Sequence, residues 1–421
     1  MQIKKISRAL GEITVPGDKS ISHRGVMLGA LADSVTQIEG FLSGADCLST
    51  IDCFRKMGIE IDVNGSSVKV HGRGLHGLRR PPEMLYAGNS GTTTRLLCGI
   101  LAGQSFDSAI TGDASICKRP MKRVTEPLSR MGAQIKGEYC PLYITGSKLH
   151  GIEYKMPVAS AQVKTAVLLA GLYAEGETII HEVEKSRDHT ELMLGAMGAG
   201  LEVRGLDIRL TPSKKLTPQH IIVPGDISSA AFFMVLGAIM PNSEITIRNV
   251  GINPTRTGII DVFKAMDADI KVENERTSAG EPAADITVSS SDLKGTVIGG
   301  ELIPRLIDEL PVIAVAALFA DGETVIRDAQ ELKVKETDRI HAVVNEFLKC
   351  GADIKETDDG MIIRGGRTLH GADFCTYGDH RMAMSLTVLA QLLDGTSSLD
   401  DERCVEISYP QFFEDFYSLG K

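Results

Sequence analysis

The chain has 421 residues, 24% of them charged, and a formal net charge of −10. Its length gives room for two domains with separate cores, and its acidic balance excludes a bulk binder of nucleic acid or of an anionic membrane surface. No stretch approaches the roughly 18 apolar residues of a membrane span, and the opening MQIKKISRAL resembles no secretory leader.

The first informative element is VPGDKSISHR at Val15–Arg24. The apolar run GVMLGALA behind it predicts a helix, which puts Lys19, Ser20 and Arg24 at or just inside a helix N-terminus. Free N–H groups and the partial positive charge there make an anion site. A nucleotide P-loop is excluded, because Asp18 stands where its second glycine should be. A solvated helix start capped by serine is the plainer expectation.

Further along, the pattern repeats. Six segments each run from a polar turn through an apolar helix to a β-branched strand: GDKSISHRGVMLGALADSVTQIEG, GNSGTTTRLLCGILAGQSFDSAITG, SAQVKTAVLLAGLYAEGETIIHEV, GDISSAAFFMVLGAIMPNSEITIRNV, IDELPVIAVAALFADGETVIRDA and GDHRMAMSLTVLAQLLDGTSSLDD. An amphipathic helix follows each, stopping at MGIEI, MGAQI, MGAGL, MDADI or CGADI. Met57, Met131, Met197, Met266 and Cys350 thus recur at intervals of 74, 66, 69 and 84 residues, and the sixth copy is cut off at the C-terminus. Glycine after the last helical turn, as in four of these five stops, is a C-cap, and alternating segments such as IEIDV and PLYITG are strands. The first helix of each copy should be buried on all sides and the second should lie outside it.

The fold class expected is therefore α/β, with six βαβαβ-type units in two similar domains. One is residues 1–16 plus 226–421, completed by the N-terminal strand; the other is 17–225. Hinges are expected near 15–18 and 223–226, at the two VPGD tetrapeptides. If the apolar helices of a domain run parallel, their positive ends converge on one face, and two such faces would make an anion-binding cleft.

The turns carry the chemistry. In order they hold Lys19, Ser20 and Arg24; Asn89, Gly91, Thr92 and Arg95; Lys118 and Arg119; Ser160, Gln162 and Lys164; Ser186, Arg187 and Asp188; Asp226, Ser228 and Ser229; Asp308 and Glu309; Lys335, Glu336 and Arg339; and Asp379, His380 and Arg381. Guanidinium groups bind carboxylate and phosphate bidentately, so this set suits at least two anionic groups. Asp308 and Glu336 add carboxylates among cations, as proton transfer requires. ELKVKETDRI predicts Lys335 and Arg339 on one helical face at i and i+4. The eight cysteines (47, 53, 98, 117, 140, 350, 375 and 404) show neither C-x-x-C nor zinc spacing, which suits reduced thiols in a cytoplasmic protein without a metal.

PGDKSISHR, GNSGTTTRLL, KRPM, SAQVKTA, VKETDRI and GDHRMAM together resemble the signatures of the 5-enolpyruvylshikimate-3-phosphate synthase family, in its more divergent second branch, from Val15 to about Pro410. The resemblance implies an inside-out α/β barrel fold, the enolpyruvyl transferase fold. The implied activity transfers an enolpyruvyl group from phosphoenolpyruvate to shikimate 3-phosphate without a cofactor, in the route to chorismate and the aromatic amino acids. It implies a monomer inhibited by glyphosate, with Gly91 the small residue that sensitive forms share.

By motif position, the resemblance assigns Lys19, Ser20, Arg24, Ser160, Ala161, Gln162, Ser186, Arg187, Asp308 and Lys335 to shikimate 3-phosphate. It assigns Lys19, Gly91, Arg119, Gln162, Arg339 and Arg381 to phosphoenolpyruvate. Asp308 is the implied base, and Glu336 and Lys19 are the candidates for protonating the methylene carbon. Two positions depart from the pattern: a C-terminal lysine of some members is missing near Ile407, and Glu331 stands where Asn can occur. The rival is the sister enzyme acting on UDP-N-acetylglucosamine. Its loop cysteine falls at Ala114 here, and Cys117 is expected to be core filler. A non-catalytic anion-binding repeat scaffold is the other alternative, and the carboxylates among the cations argue against it.

Overall fold

The six apolar runs are inner helices in the computed structural model, which describes residues 1–420, and each is followed by an outer helix. In chain order the pairs are α1 (Lys19–Leu31) and α2 (Ala45–Lys56), α3 (Gly91–Ala102) and α4 (Lys122–Arg130), α5 (Ala161–Gly171) and α6 (His189–Ala196). Then come α7 (Ile227–Ile239) and α8 (Gly258–Ala265), α9 (Leu310–Leu318) and α10 (Arg339–Lys349), α11 (His380–Leu389) and α12 (Phe412–Ser418). Every residue of α7 and of α9 is buried. An apolar stripe all round the helix has no solvent face to offer, so these helices form the core and the sheets lie outside them.

The first five outer helices share one ending. Met57, Met131, Met197, Met266 and Cys350 are buried C-cap residues, and the next residue is left-handed: Gly58 (φ 85), Gly132 (φ 97), Gly198 (φ 78), Asp267 (φ 60) and Gly351 (φ 87). One residue further, the N–H of Ile59, Ala133, Ala199, Ala268 or Ala352 returns to a carbonyl five residues back, at 2.9–3.2 Å. The repeated Met-Gly-Ala stop is a repeated Schellman-type turn, which satisfies the last orphan carbonyls and aims the chain into the next strand.

In four sheets the strand before the inner helix pairs parallel with the strand after it, in the sheets of the first and fourth repeats these parallel partners are exchanged, and in five of the six a hairpin adds two antiparallel strands. Glu60–Asn64 and Ser67–His71 form such a hairpin beside Val35–Glu39, and alternate residues face the core and solvent. Five sheets have four strands. The sixth has only Asp373–Phe374 and Ser398–Leu399, with Gln2 bridged to Ser398 where a hairpin strand would lie.

The chain separates into two compact units. The first comprises Met1–Pro16, Gly225–Arg276 and the chain from Pro282 on; the second comprises Gly17–Pro224 with Thr277–Glu281. In the first unit, Leu10–Thr14 pairs parallel with Glu244–Gly251. The C-terminal α12 seals that core, setting Phe412 and Phe416 against Phe233 at ring distances of 5.9 and 6.3 Å. In the second unit, His220–Ile222 pairs parallel with Val35–Glu39 and completes the sheet of the first repeat. Thr277–Glu281 is the tip of the hairpin between Asp269–Ser278 and Glu281–Ser289, and it groups with the second unit.

Candidate functional site

In the second unit the polar turns cap the inner helices. Asp18 accepts from Ile21 N at 2.9 Å, Ser90 from Thr93 N at 3.0 Å and Ser160 from Val163 N at 3.4 Å. The cap of α1 is thus the VPGD aspartate and not a serine, which leaves Lys19 and Ser20 in the first turn. Lys19 Nζ lies 3.2 Å from Asp46 and is partly exposed. Arg24, one turn on, is buried. Its guanidinium donates to Thr190 Oγ1 at 2.7 Å, Thr165 Oγ1 at 3.0 Å and the Ser20 carbonyl at 3.0 Å. Burial lowers its pKa, Glu191 opposes that, and the charge of Arg187 adds to the lowering. Arg187 and Arg24 therefore repel one another across the same small region.

A second cluster joins the starts of α3 and α5. Gln162 accepts from Arg95 Nη1 at 2.6 Å and donates to Thr92 Oγ1 at 3.2 Å, while Arg119 donates to Asn89 Oδ1 at 3.1 Å. Arg95 has its pKa lowered by burial and then by the charges of Arg119 and Arg123. Guanidinium groups held together against their own repulsion are relieved by an arriving anion. A Cβ on Gly91 would stand 3.0 Å from Arg95 Nη1 and 3.6 Å from Arg119 Nη1, so glycine keeps this space open. Ala161 is the first residue of α5, between Ser160 and Gln162.

Two of the turn residues face inward. Lys164 is not one of the cations facing outward: it is fully buried, 2.7 Å from Glu191 and 3.1 Å from Glu182. Ser186 is also buried, and both its N–H and its hydroxyl donate to Glu182. The pattern missed Glu182, Thr165 and Thr190, because a polar residue in a strand or mid-helix looks the same whether it faces solvent or a buried cation.

In the first unit the centre is Asp308. Lys335 Nζ lies 3.7 Å from it, Arg339 Nη1 3.5 Å and Arg381 Nη2 3.9 Å. Arg381 also donates to the Asp308 carbonyl at 3.1 Å. Arg339 is buried and held by Asp379 at 2.8 Å and Glu336 at 2.7 Å. Asp379 also caps α11 through Arg381 N at 2.8 Å, so one carboxylate orients two arginines. Burial pushes the Glu336 carboxyl up, but the Arg339 guanidinium, its own N–H and Arg381 outweigh that and leave it below its ordinary value.

ELKVKETDRI is not one helix. Gln330–Val334 is a 3₁₀ turn, Lys335 is extended, and α10 begins at Arg339 behind an Asp338 cap. Lys335 and Arg339 thus do not share a helical face, although both reach Asp308. Glu331 is exposed and pairs with Lys335 at 3.2 Å, and Ile407 is exposed in a 3₁₀ turn.

All eight cysteines are free. Burial pushes the Cys53 and Cys98 thiols up to about 12. The Cys117 thiol sits half-buried against the Gly112 carbonyl at 3.6 Å. Among the described residues, Glu60, Asp62 and His71 are the only group of three that brings metal-ligand atoms within 4.8 Å of one another, on an exposed hairpin and without any residue singled out above. No helix among the described residues is long and apolar enough to cross a membrane.

Inner helices sheathed by sheets, six repeats in two units, and cation-lined helix starts define an enolpyruvyl transferase fold. Residues 3–416 match the family model described as EPSP synthase (3-phosphoshikimate 1-carboxyvinyltransferase). The chain is 55% identical over 422 residues to the 3-phosphoshikimate 1-carboxyvinyltransferase of Thermoanaerobacter sp. (strain X514), covering 100% of both chains. It is 57% identical over 420 residues to the enzyme of that name from Geobacillus kaustophilus (strain HTA426), covering 98% of each. A solved EPSP synthase from Acinetobacter baumannii superposes with a TM-score of 0.94 at 46% identity, over 100% of this chain and 98% of that one. The chain belongs to the EPSP synthase family.

Proposed function

We propose that this chain transfers the enolpyruvyl group of phosphoenolpyruvate to the 5-hydroxyl of shikimate 3-phosphate and releases phosphate, a step toward chorismate and the aromatic amino acids. Family membership over residues 3–416 supports the reaction. The observation that carries the chemistry is Asp308, a carboxylate with three cationic side chains within 3.9 Å.

In this reading Asp308 takes the proton of the attacking hydroxyl, whose oxygen bonds to C2 of phosphoenolpyruvate. The methylene carbon gains a proton, from Lys19 or Glu336, and a tetrahedral adduct forms. Loss of a proton from the new methyl group and departure of phosphate restore the double bond. Both substrates carry several negative charges, and fixed guanidinium groups stabilise them without reorganising at the moment of reaction. Lys19, Ser20, Arg24, Ser160, Ala161, Gln162, Ser186, Arg187 and Lys335 are assigned to shikimate 3-phosphate. Gly91, Arg119, Arg339 and Arg381 are assigned to phosphoenolpyruvate, with Lys19 and Gln162 shared. Glyphosate is the inhibitor, and the enzyme is assigned to the cytoplasm as a monomer, in keeping with its free thiols.

Phosphate release from phosphoenolpyruvate tests the reading, with shikimate 3-phosphate in one reaction and UDP-N-acetylglucosamine in another. Release only with the first is expected. Release only with the second would overturn it.

A further inference from the structure

We infer that Lys164, with Glu182 and Glu191, is a positioning device that holds the Ser186–Arg187 segment ready for the substrate phosphate. The inference rests on the reaction proposed above and adds residues that none of its motifs assigns.

The segment from Glu182 to Asp188 links the strand Thr178–His181 to α6, and between 183 and 188 only Ser186 is buried. Charged side chains hold this buried serine. Glu182 accepts from Ser186 N at 3.1 Å and from the Ser186 hydroxyl, and Lys164 Nζ donates to the Ser186 carbonyl at 3.3 Å. Lys164 in turn lies 3.1 Å from Glu182 and 2.7 Å from Glu191, with its side chain fully buried.

Lys164 stands on α5, two residues after Gln162, so the same lysine ties the Ser160–Gln162 helix start to the Ser186–Arg187 segment. Glu191 belongs to α6 beside Thr190, which accepts from Arg24 and exchanges a 2.7 Å hydrogen bond with Thr165. Lys164 thus bridges Glu182 and Glu191; burial pushes the Glu191 carboxyl up, the nearby lysine opposes that, and Glu191 also acts on Arg24. A packed apolar side chain would be cheaper to bury than this cluster. What the charges add is direction: three hydrogen bonds fix the backbone and hydroxyl of Ser186, and with them the neighbouring arginine. Supporting groups of this kind hold binding groups in productive geometry without touching the substrate.

The test compares wild type with Glu182→Gln, Lys164→Met and the double variant, each in the full-length protein. KM for each substrate and kcat come from phosphate release, and binding of shikimate 3-phosphate alone from titration calorimetry. Leu168→Ala, a fully buried change on the same helix, is the stability control. Both single variants should raise KM and Kd for shikimate 3-phosphate about tenfold, with kcat and KM for phosphoenolpyruvate within threefold. The double variant should be no worse than the poorer single one, because the groups act as a unit. Leu168→Ala should lower Tm and leave both KM values alone. Glu182→Gln keeps the side-chain shape and remains informative if Lys164→Met fails to fold. Unchanged KM in folded Glu182→Gln, or an equal rise for both substrates, overturns the inference. A wild type that binds no shikimate 3-phosphate overturns the proposed reaction itself, and the positioning role with it.

Discussion

Replacing Gly91 by alanine adds one methyl group at the start of α3, where Gly91 is the first helical residue. The new Cβ meets Arg95 Nη1 at 3.0 Å and Arg119 Nη1 at 3.6 Å. The first is tighter than ordinary van der Waals contact, so Arg95 must yield by a few tenths of an ångström. Both atoms are the far ends of flexible side chains, so the strain falls at the low end of the roughly 1–3 kcal/mol typical of overpacking. Alanine also gains up to about 1 kcal/mol of helix propensity over glycine, so stability should hold.

The consequence is functional: the two guanidinium groups lose their alignment on the incoming anion. KM for phosphoenolpyruvate should rise about tenfold, equivalent to about 1.4 kcal/mol. KM for shikimate 3-phosphate should stay within twofold and kcat within threefold. Inhibition by glyphosate, a longer anion, should weaken at least as much. Steady-state kinetics with one substrate saturating, together with a melting curve, give all of these values. An unchanged KM for phosphoenolpyruvate, or a Tm drop of several degrees with both KM values raised, would refute the reasoning.

Asp308→Asn should lose about 10²–10⁴-fold in kcat while calorimetry still detects shikimate 3-phosphate binding; wild-type turnover would remove the base assignment. Because Arg339 and its neighbours hold Glu336 ionised below its ordinary pKa, it is a poor proton donor at neutrality. Lys19→Met should therefore suppress deuterium incorporation at the methylene carbon more than Glu336→Gln does, and the reverse order would refute this. His23 is buried neutral against Thr50 at 2.7 Å, and burial lowers its pKa from 6.5 to about 3. The unfolded chain takes the proton first, so stability is full above pH 6.5 and falls as pH drops toward 3. By urea unfolding, wild type should lose about 2 kcal/mol more than His23→Asn between pH 7.5 and 5. Cys117→Ser should keep kcat within twofold; a large loss would reopen the sister-enzyme reading.

The local rules of the fold are legible in the sequence itself. Apolar runs, capping residues and Met-Gly-Ala stops are decided by neighbours within one or two turns, which is why the repeat, both helix types and the left-handed glycines after the C-caps follow directly from the residues. The cation-rich turns are legible for the same reason, since each precedes its own helix. What escapes the sequence is what depends on distant partners. ELKVKETDRI has helical spacing, yet Asp338 caps a new helix at Arg339 and Lys335 is left extended. Lys164 groups by position with the anion-binding cations, and only Glu182 and Glu191, brought in from later in the chain, turn it inward. The pairing of His220–Ile222 with Val35–Glu39 and the grouping of Thr277–Glu281 with the second unit likewise join residues far apart in sequence. A side chain's type and spacing determine what it is able to do; whether it meets solvent, a substrate or a buried counter-charge is set by the tertiary neighbours that close around it.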